Sequence, residues 1–130
     1  MSTAAPTPDR VTSAILILHI AAMFAGFMVL GSVFDFPEVL RYPVEDRFAI
    51  FSMNQPIIRP TYWVLTMTGI TQILISVLLF QVTRAQVQTA AALSLVFGAF
   101  AGFCQALGFG RWVILIPYLV AEAADPAKAQ

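Results

Sequence analysis

Three stretches of this chain carry no charged side chain: from Arg10 to Asp35, from Arg59 to Arg84, and from Arg84 to Arg111. Each is longer than the ~20 residues an α-helix needs to cross the hydrocarbon of a bilayer. A water-soluble domain of this size has no room to bury three such helices. The pattern therefore predicts an all-α integral membrane protein, with one domain over 1–130 and a bundle of three transmembrane helices. The spans are placed at about 11–34, 61–83 and 87–109. The first apolar run is too long for the 7–15-residue core of a secretory signal, so it reads as a retained span.

The polar positions fall between and after these spans. The connection 35–59 holds half of all the charged residues: Asp35, Glu38, Arg41, Glu45, Asp46, Arg47 and Arg59. Phe36, Val39, Leu40, Phe48, Ile50 and Phe51 stand among them. Such a mixture suits a segment lying at the membrane–water interface, with a short helix near 43–53. Pro60 is a good first-turn residue for the second span, and Tyr62 and Trp63 follow where interfacial aromatics belong. A tight turn at 83–86 carries Arg84. After Arg111 the apolar stretch is too short to cross and is interrupted by Pro117. It predicts a short C-terminal fourth helix over 112–124, continuing the third span or lying on the surface. The polar ends, 1–9 and 125–130, read as tails. Arg41, Arg47, Arg59, Arg111 and Lys128 fall on one side, which favours that side as cytoplasmic.

Composition agrees. Hydrophobic residues make up 59% and charged residues 11%, against roughly 45–50% and 25% in soluble domains. The formal net charge is zero, so no basic face is offered to nucleic acid. The single cysteine, Cys104, lies in the third apolar stretch and reads as a buried, inert packing residue.

Candidate chemistry is sparse. Ser94, Gly98, Gly102 and Ala106 recur every four residues in the third span, a small-residue face that lets helix backbones approach closely. It serves either packing within the chain or docking onto another one. In the second span a polar stripe runs through Thr61, Thr68, Gln72, Ser76 and Thr83. Gln72 sits near the middle and must find a partner, since lipid offers none; Gln105 in the third span reads the same way. His19 is the only histidine. Without a cluster of further ligands it makes no metal site. A hydrogen bond to a neighbouring Thr, Ser or Gln is the simplest role, and one to a bound quinone or lipid the next. Asp35 and Glu38 end the first span on the side where Arg111 ends the third, so a charge-assisted bond across the bundle mouth is expected. No phosphate loop, nucleophile elbow or zinc-helix motif is present.

Two segments carry a resemblance. One is Phe34-Asp35-Phe36-Pro37-Glu38-Val39-Leu40-Arg41. The other runs from Gln105 to Leu119, QALGFGRWVILIPYL. Together they resemble an uncharacterised family of bacterial multi-helix membrane proteins, a domain of unknown function. The resemblance implies a helical bundle and no chemistry. Members of that family look longer, with further spans after the Pro117 region, which raises the expectation that this shorter chain leans on a partner.

The expected function is that of a non-catalytic small membrane protein in the bacterial inner membrane, with no catalytic residue, cofactor or metal. It would be an accessory or structural subunit packing against other membrane subunits or its own copies. The alternative is a binder of a small apolar ligand (quinone, lipid or carotenoid) around His19, Gln72 and the space left by Gly98 and Gly102. A small transporter is the least supported, for want of charge within the spans.

Overall fold

The computed structural model describes residues 10–124; the two predicted tails lie outside them. The described chain is helical, with no strand. Helix α1 spans Arg10–Val33, α2 Val44–Thr83, α3 Gln88–Val113 and α4 Leu115–Ala123. A single 3₁₀ turn, Glu38–Arg41, lies between α1 and α2. Three helical stretches are long and apolar enough to cross a membrane, the third of them α3 and α4 taken together. The short fourth helix is present, beginning at Leu115 after a break at Ile114.

Helix α2 departs from expectation. The short helix near 43–53 and the second span starting at Pro60 are one continuous helix of 40 residues, with Pro56 and Pro60 inside it. The connection thus shrinks to residues 34–43. Each proline removes an N–H, which frees the carbonyls of Ser52 and Pro56. Ser52, Pro56 and Pro60 all lie on the exposed side. The opposite side carries Phe51, Ile58, Tyr62 and Leu65, fully buried one after another through the proline region. Continuous packing of that face outweighs the local breaking tendency. At 1.5 Å per residue the helix is ~60 Å long, about twice the ~30 Å of bilayer hydrocarbon.

Helix α2 is the axis, with α1 and α3 packed along it. The small-residue face of α3 is used here, inside the chain. A Cβ on Gly102 would lie 2.6 Å from the Gly69 carbonyl oxygen, and one on Gly69 would lie 2.7 Å from the backbone nitrogen of Ala106. A Cβ on Gly98 would collide with the Ser76 hydroxyl. The space expected at Gly98 and Gly102 is filled by α2, and Ser94 stands exposed outside the contact. Gly26 of α1 receives Leu65 in the same way, 2.6 Å from where its Cβ would be.

The largest buried cluster closes the end of the bundle at the 34–43 connection. Phe34 is fully buried, with ring partners Phe51 at 6.3 Å, Tyr62 at 6.3 Å and Trp112 at 5.1 Å. Tyr62 stacks on Trp112 at 5.2 Å, nearly parallel. Phe27 stacks on Phe36 and meets Phe109 edge-on. Tyr62, expected at an interface, is a core residue, whereas Trp63 is 53% exposed. Asp35 takes a left-handed backbone (φ 50°), which aspartate tolerates better than most residues, and the Phe36–Pro37 peptide is cis.

Candidate functional site, a polar seam and a lateral cleft

The polar residues of α2 divide their work between the flanking helices. Thr68 donates to the Leu65 carbonyl of its own helix at 2.6 Å and accepts from Gln105 Nε2 of α3 at 2.8 Å. The amide also reaches the thioether of Met23 on α1 at 3.4 Å. One turn on, Thr71 donates to the Thr68 carbonyl and lies 2.9 Å from Nδ1 of His19 on α1. Two threonines three residues apart thus tie α3 and α1 to the same helix. Thr68 was visible in the polar stripe; Thr71 was not singled out, and its signal is its i, i+3 relation to Thr68.

His19, Gln72 and Gln105 do not form one site. Gln105 belongs to the internal seam and His19 to the outer edge of the α1–α2 contact. Gln72 lies toward α3, its Cβ 3.1 Å from where a Gly102 Cβ would be, and it takes no part in either group. Its depth in the second span suggested a shared site, but position along a helix does not fix the face.

The expected ion pair of Asp35 or Glu38 with Arg111 does not form among the described residues. Asp35 accepts instead from the Tyr42 hydroxyl seven residues on, and the Arg111 guanidinium lies over the Trp112 ring, 5.8 Å from its centroid. The left-handed turn at Asp35 directs the chain back on itself, so the carboxylate finds a local partner. Glu38 is exposed. The Tyr42 phenol has its pKa raised by the hydrogen bond to Asp35, then by burial and by the charges of Asp35 and Glu38. Cys104, expected to be buried, is exposed, because its face of α3 points away from α2.

A cleft of about 290 Å³ opens between α1 and α2 around His19. Ile15, Leu18 and Ala22 line it from α1, and Val64, Met67 and Leu74 from α2; His19, Thr68 and Thr71 supply its only polar groups. A second hollow of about 200 Å³ shares Ala22 and Val64 with it and continues past Ala25 and Gly26 to Val29. The two lie side by side along α1, apolar apart from His19, Thr68 and Thr71 in the first and Thr61 in the second. A groove of this kind suits an elongated apolar molecule with one polar group.

The two segments that carry the sequence resemblance meet in the structure: Phe34 of the first packs on Trp112 of the second, and Phe36 and Phe109 share Phe27. No curated protein and no solved structure matches the chain. The family model described as domain of unknown function (DUF4386) matches residues 12–130, and the chain belongs to that family.

Proposed function

We propose that this chain is a non-catalytic integral membrane protein of the bacterial inner membrane that holds a small apolar molecule in the groove between α1 and α2. One observation carries the reading. The cleft around His19 is lined by apolar side chains except for His19, Thr68 and Thr71, and a few polar groups beside an open apolar groove at membrane depth support a ligand site. The seam that fixes the helices together is elsewhere, at Thr68 and Gln105. The small-residue face, which would have favoured docking onto a partner, is occupied by α2.

An accessory-subunit role keeps one specific support. Leu93, Val96, Phe100, Phe103 and Leu107 stand on α3 at alternating spacings of three and four, each more than half exposed. That is the spacing of a helix-pairing seam, which would take another membrane subunit or a second copy.

Native mass spectrometry after mild extraction tests the ligand reading, with wild type beside Ala22→Phe, which fills the groove at the point its two hollows share. The wild-type chain should carry a small apolar mass that the variant lacks at unchanged thermal stability. Identical bound masses in both, or none in either, would contradict it. A fixed-ratio complex with other chains would support the subunit role.

A further inference from the structure

Pro60 leaves a backbone acceptor open on the outer face of α2. A helical carbonyl points along the axis toward the fourth residue on, so the Pro56 carbonyl faces Pro60, which has no N–H to give it. Both prolines line a hollow of about 430 Å³, together with Gln55, Arg59 and Trp63. Those three side chains stand four residues apart, one above another on the helix surface. Their polar groups have no partner among the described residues. The hollows nearer the start of α2 are lined by Glu45 and by Asp46; this one holds a cation and no carboxylate. The aromatic cluster fixes its level along the bundle. Phe34, just after α1, meets Tyr62, and Tyr62 stacks on Trp112 beside Arg111. Arg59 thus shares a level with Asp35 and Arg111. Beyond it residues 60–83 carry no charge, ~36 Å of helix, enough to cross the ~30 Å of hydrocarbon. Arg59 and Trp63 then fall where the head groups begin, the depth at which such residues anchor a helix.

We propose that this hollow binds an anionic phospholipid whose head group carries hydroxyl donors, of the phosphatidylglycerol class. The phosphate accepts from the Arg59 guanidinium and the Gln55 amide. A head-group hydroxyl donates to the Pro56 carbonyl, and the Trp63 ring, one turn nearer the hydrocarbon, packs against the start of the acyl chains. Each half of the site excludes a class of lipid. A positive charge with no carboxylate beside it favours a head group of single negative charge over a zwitterion, whose ammonium the guanidinium repels. The open carbonyl takes a donor, which choline and a methyl-capped phosphate both lack. At the edge of the hydrocarbon an unpartnered carbonyl is costly, and the bound hydroxyl supplies its partner. The proposal rests on α2 crossing the bilayer and not on the α1–α2 cleft.

The test uses the full chain in phosphatidylcholine nanodiscs doped with one second lipid at a time, and native mass spectrometry reads which lipid stays bound. The second lipid is phosphatidylglycerol, phosphatidylmethanol (the same charge without hydroxyls) or the zwitterion phosphatidylethanolamine. Wild type should retain phosphatidylglycerol about fivefold or more over phosphatidylcholine, the gain expected from one arginine near the surface. It should retain phosphatidylmethanol less well than phosphatidylglycerol. Arg59→Gln should remove the preference for both anionic lipids, and Arg59→Lys should keep it. Pro60→Ala returns an N–H to the Pro56 carbonyl. That variant should bring phosphatidylglycerol down to the level of phosphatidylmethanol and leave both above phosphatidylcholine. Ala22→Phe, which fills the α1–α2 cleft, should keep the whole pattern, so the two sites read separately. Wild type that retains phosphatidylethanolamine or phosphatidylmethanol as well as phosphatidylglycerol overturns the assignment. So does an Arg59→Gln chain that keeps the anionic preference, or a Pro60→Ala chain that still favours phosphatidylglycerol over phosphatidylmethanol.

Discussion

Single side chains decide where this fold spends its few polar contacts. Tyr42 is the clearest case outside the apolar helices. Its phenol donates to Asp35 and its carbonyl accepts from Arg47 Nη2 at 2.9 Å, so one residue closes the connection from both sides. A raised phenol pKa means that the folded chain favours the neutral form. That contribution is present at every pH below the ordinary tyrosine value of about 10, and is lost as pH rises through the higher folded-state value. Tyr42→Phe should therefore be less stable than wild type at neutral pH, and the gap should close on the alkaline side. Unfolding followed against pH for both proteins measures this; a gap that stays constant into strong alkali would show that the Asp35 bond contributes nothing. Asp35 itself shows what residue chemistry alone left hidden. Its charge and its place at the end of α1 were plain, but its partner was set by a left-handed backbone that brings Tyr42 within reach before Arg111.

At the scale of elements, charge-free length made the helices legible and Pro60 hid the true extent of α2. A proline marks a first turn when nothing else competes. Here the buried row from Phe51 to Leu65 runs straight through it, and rows of that kind are visible only once the facing helices are known. The α2–α3 contact was half legible. Gly98 and Gly102 announced a close approach, but the matching Gly69 on α2 went unremarked, so packing within the chain and docking onto another one both stayed open. Two glycines of α3 separate contact from composition. Gly102→Ala places a methyl against the Gly69 carbonyl, where backbone cannot yield cheaply, and should cost about 1–3 kcal/mol. Gly108 has nothing within 4 Å of its would-be Cβ. Gly108→Ala should be neutral or up to ~1 kcal/mol stabilising through helix propensity. Unfolding in mixed micelles reads both, and equal losses at the two sites would argue against the close contact.

The whole molecule is a long central helix with a flank on either side, sealed at one end by an aromatic cluster and open along one edge. Phe34, Tyr62 and Trp112 lock the sealed end, where residues 34–41 meet the end of α3. Along the α1–α2 contact a cleft opens beside His19. The sequence placed His19 within the first span and suggested a hydrogen bond to a Thr, Ser or Gln, and Thr71 is the partner it finds. It could not place the groove, because a cleft between two apolar helices depends on crossing geometry and on the small side chains of Ala22, Ala25 and Gly26 rather than on any motif. Under the proposed reading, exposed apolar side chains on α1 and α3 meet lipid, and the groove is where a dedicated molecule replaces it.

Photocrosslinking in intact membranes tests that claim most directly. A photoreactive amino acid is placed at Leu18, which lines the cleft and is 68% exposed, or at Phe100, which is 65% exposed on α3 away from it. The account predicts that position 18 captures one small apolar molecule as its dominant adduct, while position 100 captures bulk phospholipid. The same phospholipid adducts from both positions would contradict it.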